Sequence, residues 1–197
     1  MNKRTLEKHH RYILPTIENI LSGKETILDV GCGNGAIANY LLDKGYNVYG
    51  VDRHPGRIAT AGQKHPKRFC VLDMETASSL PEELSDIGFD TIISTEVIEH
   101  LYSPRKFLSF CLNTLKGGGK LIISTPYNGY LKYLIISLLG CMDKHLEPWV
   151  DGGHIKFYSK RILTELLESQ GFRVVRFIGC GRFPYLWKSM VFIAEPK

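Results

Sequence analysis

Two stretches of the chain gather residues able to do chemistry. The first is Glu96-Val97-Ile98-Glu99-His100, which follows the apolar run FDTIIST at 89–95. If a helical turn begins there, Glu96 meets Glu99 and His100 on one face, because residues three and four apart are helix neighbours. Two carboxylates and an imidazole suit a divalent cation. They suit equally a general base that takes a proton from a nucleophile. The plainer alternative is that such groups cap the helix and bond to backbone. The second stretch is Gly31-Cys32-Gly33-Asn34-Gly35-Ala36. Its glycines permit a tight turn and close approach of a ligand to the backbone, and a helix N-terminus after it favours a negative group. Asp52 ends the next apolar run, where a carboxylate can accept hydrogen bonds from both hydroxyls of a ribose. The turn also fits the loose dinucleotide pattern G-x-G-x-x-A. Its glycines alternate, however, and Asp29 sits inside the strand just before them, which argues against a nicotinamide cofactor.

The elements that must position these groups alternate short β-branched runs with helical stretches, the mark of an α/β domain with a largely parallel sheet. Strands are expected at 25–30, 47–52, 68–73, 89–95, 120–126, 172–178 and 187–194. Helices are expected at 5–21, 36–44, 55–64, 104–115 and 159–169, with Ser159 as the N-cap of the last and Gly171 as its stop. Lys116-Gly117-Gly118-Gly119 reads as a turn. Residues 127–153 form an insertion much longer than an ordinary connection. Its centre, GYLKYLIISLLGCM, reads as a short apolar helix that packs on the core, closes over a substrate as a lid, or touches lipid at 130–142.

Composition bounds the answer. The chain has 197 residues, 44% hydrophobic and 23% charged, with a formal net charge of +5. That is an ordinary globular balance and excludes wholesale disorder. The mild positive charge permits an anionic partner without demanding one. Five widely spaced cysteines with no CxxC pair form neither a disulfide framework nor a zinc knuckle, and imply reduced thiols and a cytoplasmic setting. No signal-peptide core is visible, and no apolar run approaches the roughly 20 residues that span a bilayer.

Taken in order, ILDVGCGNG, VYGVD, VLDM, FDTIISTEVIEHL and LKGGGKLIISTP resemble the class I S-adenosylmethionine-dependent methyltransferases, over about residues 25–126. The resemblance implies a single methyltransferase domain over 1–197 with a Rossmann-like, seven-stranded, mostly parallel sheet flanked by helices, the last strand antiparallel. It implies S-adenosylmethionine as cofactor. Gly31 and Gly33 would lie against its amino acid moiety, Asp52 would bind the ribose with Arg53 beside it, and Asp73 and Met74 would flank the adenine. Thr95 would lie under the sulfonium, while Asp29 would order the turn or reach the ammonium through water.

The EVIEH string is similar to one in the ubiquinone-biosynthesis O-methyltransferases, which act on phenolic hydroxyls of prenylated rings. It is similar also to one in the small-RNA 3′-terminal 2′-O-methyltransferases. Both groups carry Glu-x-x-Glu-His after the fourth strand, associated with a divalent ion, and the RNA enzymes add a ligand histidine downstream. His154, in GGHIKFYS, takes that place, and the quinone enzymes too have a histidine there, behind an apolar insertion. The resemblance thus implies Glu96, Glu99, His100 and His154 as ligands of Mg²⁺ or Mn²⁺, and Glu96, His100 and His154 as catalytic groups. Arg11 matches a cofactor-binding arginine of the quinone group, or else belongs to a solvated basic face with Lys8 and His9.

The expected function is therefore methyl transfer to a small apolar molecule, at a hydroxyl. Two alternatives are methylation of an RNA ribose 2′-hydroxyl and a non-catalytic cofactor-binding module. No RNA-binding element or cluster of aromatic and basic residues accompanies the motifs, so nucleic acid is not the expected partner.

Overall fold

The computed structural model describes residues 10–146 and 148–197. Seven strands form one sheet in the order β3-β2-β1-β4-β5-β7-β6. They are β1 (Thr26–Val30), β2 (Asn47–Asp52), β3 (Phe69–Val71), β4 (Phe89–Thr95), β5 (Leu115–Pro126), β6 (Phe172–Cys180) and β7 (Ser189–Pro196). The pairings β3-β2-β1-β4-β5 are parallel, and β7 runs antiparallel to both neighbours. This is the mostly parallel sheet with an antiparallel last strand that the resemblance implies.

The central strands are covered on both faces, and their sequences read accordingly as near-continuous apolar runs. In β1, Ile27 packs into one buried cluster while Leu28 and Val30 pack into the other. The first cluster also takes Ile13, Leu14 and Ile17 of α1 (His10–Glu18) and Ala36, Ile37 and Leu41 of α2 (Ala36–Asp43). It is joined by Ile58 of α3 (Pro55–Ala61). The second takes Phe107, Leu108 and Cys111 of α4 (Pro104–Thr114) and Leu163 and Leu167 of the late helix at Lys160–Ser169. Ser159 caps that helix, accepting a hydrogen bond from Ile162 N at 3.3 Å. The expected helix at 5–21 is seen from His10; its first part, 5–9, lies outside the described residues.

Two elements differ from expectation. Lys116–Gly119 is not a turn before the fifth strand but an irregular start within it. Pairing with β4 jumps from Phe89–Leu115 to Thr91–Lys120, so extra residues of β5 bulge out. Gly118, at φ +79°, supplies the left-handed backbone that the bulge requires. The second difference is Glu96-Val97-Ile98-Glu99-His100. Only Ile98–His100 coils, as a 3-10 turn, and Glu96 stands outside it at φ +53°.

The insertion holds α5 (Tyr130–Leu138) and α6 (Met142–Leu146), and Lys160–Ser169 is then α7. Only Lys132 of α5 is buried. Leu131, Leu134, Leu138 and Leu139 are exposed, the last two at 77% and 69%, so this helix does not bury its apolar side in the core. Among the described residues no helix is long and apolar enough to cross a membrane.

Candidate active site

The chain reverses its winding direction between β1 and β4, which lie side by side at the sheet centre. In open α/β sheets the crevice beyond the carboxyl ends of the strands at such a point is where ligands bind. Both stretches singled out from the sequence begin there, Gly31 after β1 and Glu96 after β4.

The glycine turn is tied down by backbone and by Asp52. Gly31 N and Cys32 N donate to Val51 O at 2.8 and 3.0 Å. Gly31 has φ +78°, and a Cβ there would stand 2.6 Å from Val97 Cγ2. Asp52 is buried, with Oδ2 accepting from Gly33 N at 3.0 Å and Oδ1 from His54 N at 2.9 Å. Each carboxylate oxygen has two lone pairs, so both keep one for a ligand.

A cleft of about 730 Å³ is lined by Asp29, Gly31, Gly33, Thr95, Glu96, His100 and His154 among others. It adjoins a lobe of about 510 Å³ lined by Asp52, Arg53, Asp73, Met74, Glu96 and His100. Volumes in this range suit a cofactor-sized molecule. Every cofactor-side residue singled out from the sequence borders these lobes except Arg11. Its helix neighbours His10 and Tyr12 line the cleft, while Arg11 is exposed and does not. Adjacent helix residues point in different directions, and the side facing the sheet is set by Ile13 and Ile17, not by Arg11.

Asp29 is almost fully buried, and its Oδ1 has no hydrogen-bond partner among the described residues. Burial, followed by the nearby charge of Asp52, pushes its pKa up to about 7. A raised carboxyl pKa favours the fold while the group is protonated. That contribution is complete below the usual value near 4 and is lost as pH rises through about 7. Between pH 5 and pH 7 the ligand-free protein is therefore expected to lose about 2 kcal/mol that an Asp29→Asn variant does not lose. Urea unfolding of both proteins at the two pH values checks it; parallel loss in both would remove Asp29 as the cause.

The acidic stretch is divided between two sides of β5. Glu96 N donates to Ser124 O at 3.1 Å, and Ser124 Oγ donates to Glu96 Oε1 at 2.9 Å. Thr125 Oγ1 donates to Glu99 Oε2 at 3.0 Å. Successive strand residues face opposite ways, so Ser124 and Thr125 hold the two carboxylates apart. Burial pushes the Glu96 pKa up to about 7, against the opposing hydrogen bond from Ser124. Burial and then the Glu96 charge push that of Glu99 well up.

Glu99, His100 and His154 come together with their donor atoms within 4.8 Å of one another. His154 Nε2 lies 4.0 Å from Glu99 Oε1. The two imidazoles meet edge to face at 4.9 Å between centroids. His100 Nδ1 donates to Gly153 O at 3.1 Å, which leaves its Nε2 lone pair for another partner. The Glu99 carbonyl accepts from Ile155 N and Lys156 N, both at 3.0 Å, and so fixes the segment that carries His154. Glu96 is not part of this group, because without the expected helical turn it does not face Glu99 and His100. The donor set fits a divalent cation: two imidazoles and a carboxylate are a familiar open-sided ligand trio. Glu99 Oε1, buried with no hydrogen-bond partner among the described residues, is the kind of atom such an ion satisfies.

Several residues at the cleft or buried behind it carried no functional signal in the sequence analysis. Ser124 and Thr125 end an apolar strand beside β4, and their polarity at a buried strand end was the available signal. Lys132 is another: one cation within an apolar run, 9% exposed, donating from Nζ to Tyr127 O at 2.8 Å. Burial lowers its pKa to about 8. Tyr12, Arg57 and Ser189 line the cleft with no sequence signal.

The methyltransferase-domain family matches residues 3–176, and the chain belongs to that family. It is similar to the human protein named mitochondrial ubiquinone biosynthesis O-methyltransferase, 34% identical over 88% of this chain and 49% of that one. It is similar also to the ubiquinone biosynthesis O-methyltransferase of Dinoroseobacter shibae, 30% identical over 76% of this chain and 60% of that one. The chain thus spans about half to three-fifths of the length of these relatives. In fold it matches a TehB-like S-adenosylmethionine-dependent methyltransferase from Corynebacterium glutamicum, with TM-score 0.67 and 22% identity over 93% of this chain and 86% of that one. The fold is that of the class I S-adenosylmethionine-dependent methyltransferases.

Proposed function

We propose that this protein transfers a methyl group from S-adenosylmethionine to a hydroxyl of a small apolar molecule, with Glu99, His100 and His154 holding a divalent cation. One observation carries the reading: the glycine turn with Asp52 and the two imidazoles of the trio border adjoining lobes, His100 bordering both, with Glu99 buried directly behind them. The names of the relatives support the choice of oxygen as the methylated atom.

When bound, the cofactor supplies an electrophilic methyl on sulfur, and the cation lowers the pKa of a hydroxyl that reaches it. The chain does the rest. Asp52 accepts the ribose hydroxyls and holds the glycine turn in shape. Arg53, Asp73 and Met74 line the adenine end, and Thr95 and Asp29 border the methionine end. Gly33, with nothing within 4 Å of a Cβ position, leaves open space at the turn for the cofactor. Fixing acceptor and cofactor in one cleft supplies much of the acceleration, because displacement at the methyl demands an in-line approach. A Glu96 carboxylate oxygen takes the hydroxyl proton; its pKa near 7 suits a base working at neutral pH.

The apolar acceptor is carried by the insertion. Pro126 lines the cleft, and α5 begins just beyond it with Leu131, Leu134 and Leu138 exposed along one side. That side is where an apolar acceptor, or the membrane surface that dissolves it, meets the protein. Leu138→Gln together with Leu139→Gln is expected to leave the unfolding midpoint within about 2 °C, since exposed substitutions cost little. The same pair should raise KM for a long-chain acceptor about tenfold, as loss of one or two buried leucine contacts does. The reading is tested with phenols and catechols of increasing alkyl length, following release of S-adenosylhomocysteine with Mn²⁺ or with EDTA. Turnover that grows with chain length and disappears in EDTA is expected. Turnover indifferent to both would overturn it.

A further inference from the structure

We infer that Thr125 is a positioning residue for the cation: its hydroxyl holds one oxygen of Glu99 so that the other faces the two imidazoles. The inference rests on the metal reading above. The Thr125 Oγ1 to Glu99 Oε2 bond, 3.0 Å long, joins side chains that are 0% and 1% exposed. Glu99 Oε1 makes no hydrogen bond among the described residues and lies toward His154 Nε2 at 4.0 Å. The carboxylate is thus split, one oxygen anchored and one presented.

The backbone of Glu99 is already fixed through its carbonyl, which takes Ile155 N and Lys156 N. The softest of the side-chain torsions that the backbone leaves open is rotation of the carboxylate about its last bond. The Thr125 hydroxyl sets that rotation. Residue choice in β5 agrees. Leu121, Ile122 and Ile123 are apolar, as a strand covered on both faces requires, and the polar pair Ser124 and Thr125 comes where the two acids lie. A valine would fill the space of Thr125 but would leave Glu99 Oε2 without this donor.

Partners that orient metal ligands typically matter by about 10- to 100-fold in affinity. The test titrates Mn²⁺ into the protein and follows free Mn²⁺ by electron paramagnetic resonance, with S-adenosylhomocysteine affinity measured alongside. Thr125→Val is expected to weaken Mn²⁺ at least tenfold while S-adenosylhomocysteine binding stays within about threefold, and Thr125→Ser to restore near wild-type Mn²⁺ affinity. Should the valine variant not fold, Thr125→Ala set against Thr125→Ser gives the same comparison. A purely structural role would weaken both ligands together and leave serine no better than alanine; that result, or Mn²⁺ affinity unchanged in the valine variant, overturns the inference. A wild-type protein that binds no Mn²⁺ overturns the metal reading itself, and the positioning role with it.

Discussion

Glu99→Gln is expected to abolish measurable Mn²⁺ binding and to lower kcat/KM for methyl transfer about a thousandfold. The substitution keeps the shape and keeps an oxygen for the Thr125 hydroxyl, but removes the one carboxylate ligand from a trio whose other members are imidazoles. Loss of a Lewis acid that would lower the pKa of the acceptor hydroxyl costs several kcal/mol, and about 4 kcal/mol is a thousandfold. The fold should not suffer, because burial already raises the Glu99 pKa and a neutral amide replaces a carboxylate that is costly to bury. Affinity for S-adenosylhomocysteine should likewise hold, since Glu99 lines neither of the cofactor lobes. Stopped assays for S-adenosylhomocysteine, run beside the Mn²⁺ titration, check the expectation. A variant within threefold of wild type in turnover would remove the cation from the chemistry and leave Glu96 or a histidine as the sole activating group.

Asp52→Ala is expected to weaken S-adenosylhomocysteine by about 10²–10³-fold, the effect of losing two hydrogen bonds to a charged group. Two losses coincide in this variant. The ribose loses its acceptor, and the glycine turn loses the two bonds that shape it, from Gly33 N and His54 N. Asp52→Asn retains one acceptor oxygen and should fall between wild type and alanine. Calorimetric titration of the three proteins gives the series directly. Equal affinities across it would mean that the cofactor does not sit against the end of β2.

Most of the sheet was legible because β1, β2, β4 and β7 are short runs dominated by β-branched and other apolar residues, as strands covered on both faces are. The cofactor side was legible for a related reason. A glycine turn directly after one strand and an acid ending the next are close in sequence, so local spacing fixes their geometry. The acidic side was legible only in composition. Local periodicity put Glu96 with Glu99 and His100, but Glu96 adopts φ +53°, held by bonds to Ser124, a partner distant in the chain. Tertiary bonds of that kind override a short helical tendency. His154 met Glu99 through backbone bonds at Ile155 and Lys156, which spacing alone does not disclose. Arg11 is the converse case: its helix turns Ile13 and Ile17 inward and leaves Arg11 exposed, as the solvated basic face considered for it would have it. The three glycines of 117–119 read as a turn because a bulge and a turn use the same left-handed backbone.

The most direct test is calorimetric titration of wild type, Glu99→Gln and Asp52→Ala, first with S-adenosylhomocysteine, in EDTA and in Mn²⁺, and then with Mn²⁺ alone. One S-adenosylhomocysteine site per chain is expected in wild type, present in EDTA and weakened about 10²–10³-fold in Asp52→Ala. A separate Mn²⁺ site is expected in wild type, which Glu99→Gln removes while leaving the first site intact. No binding of S-adenosylhomocysteine under either condition would contradict the assignment of the cleft as a methyl-donor site, and Mn²⁺ bound equally by both proteins would contradict the Glu99, His100 and His154 centre.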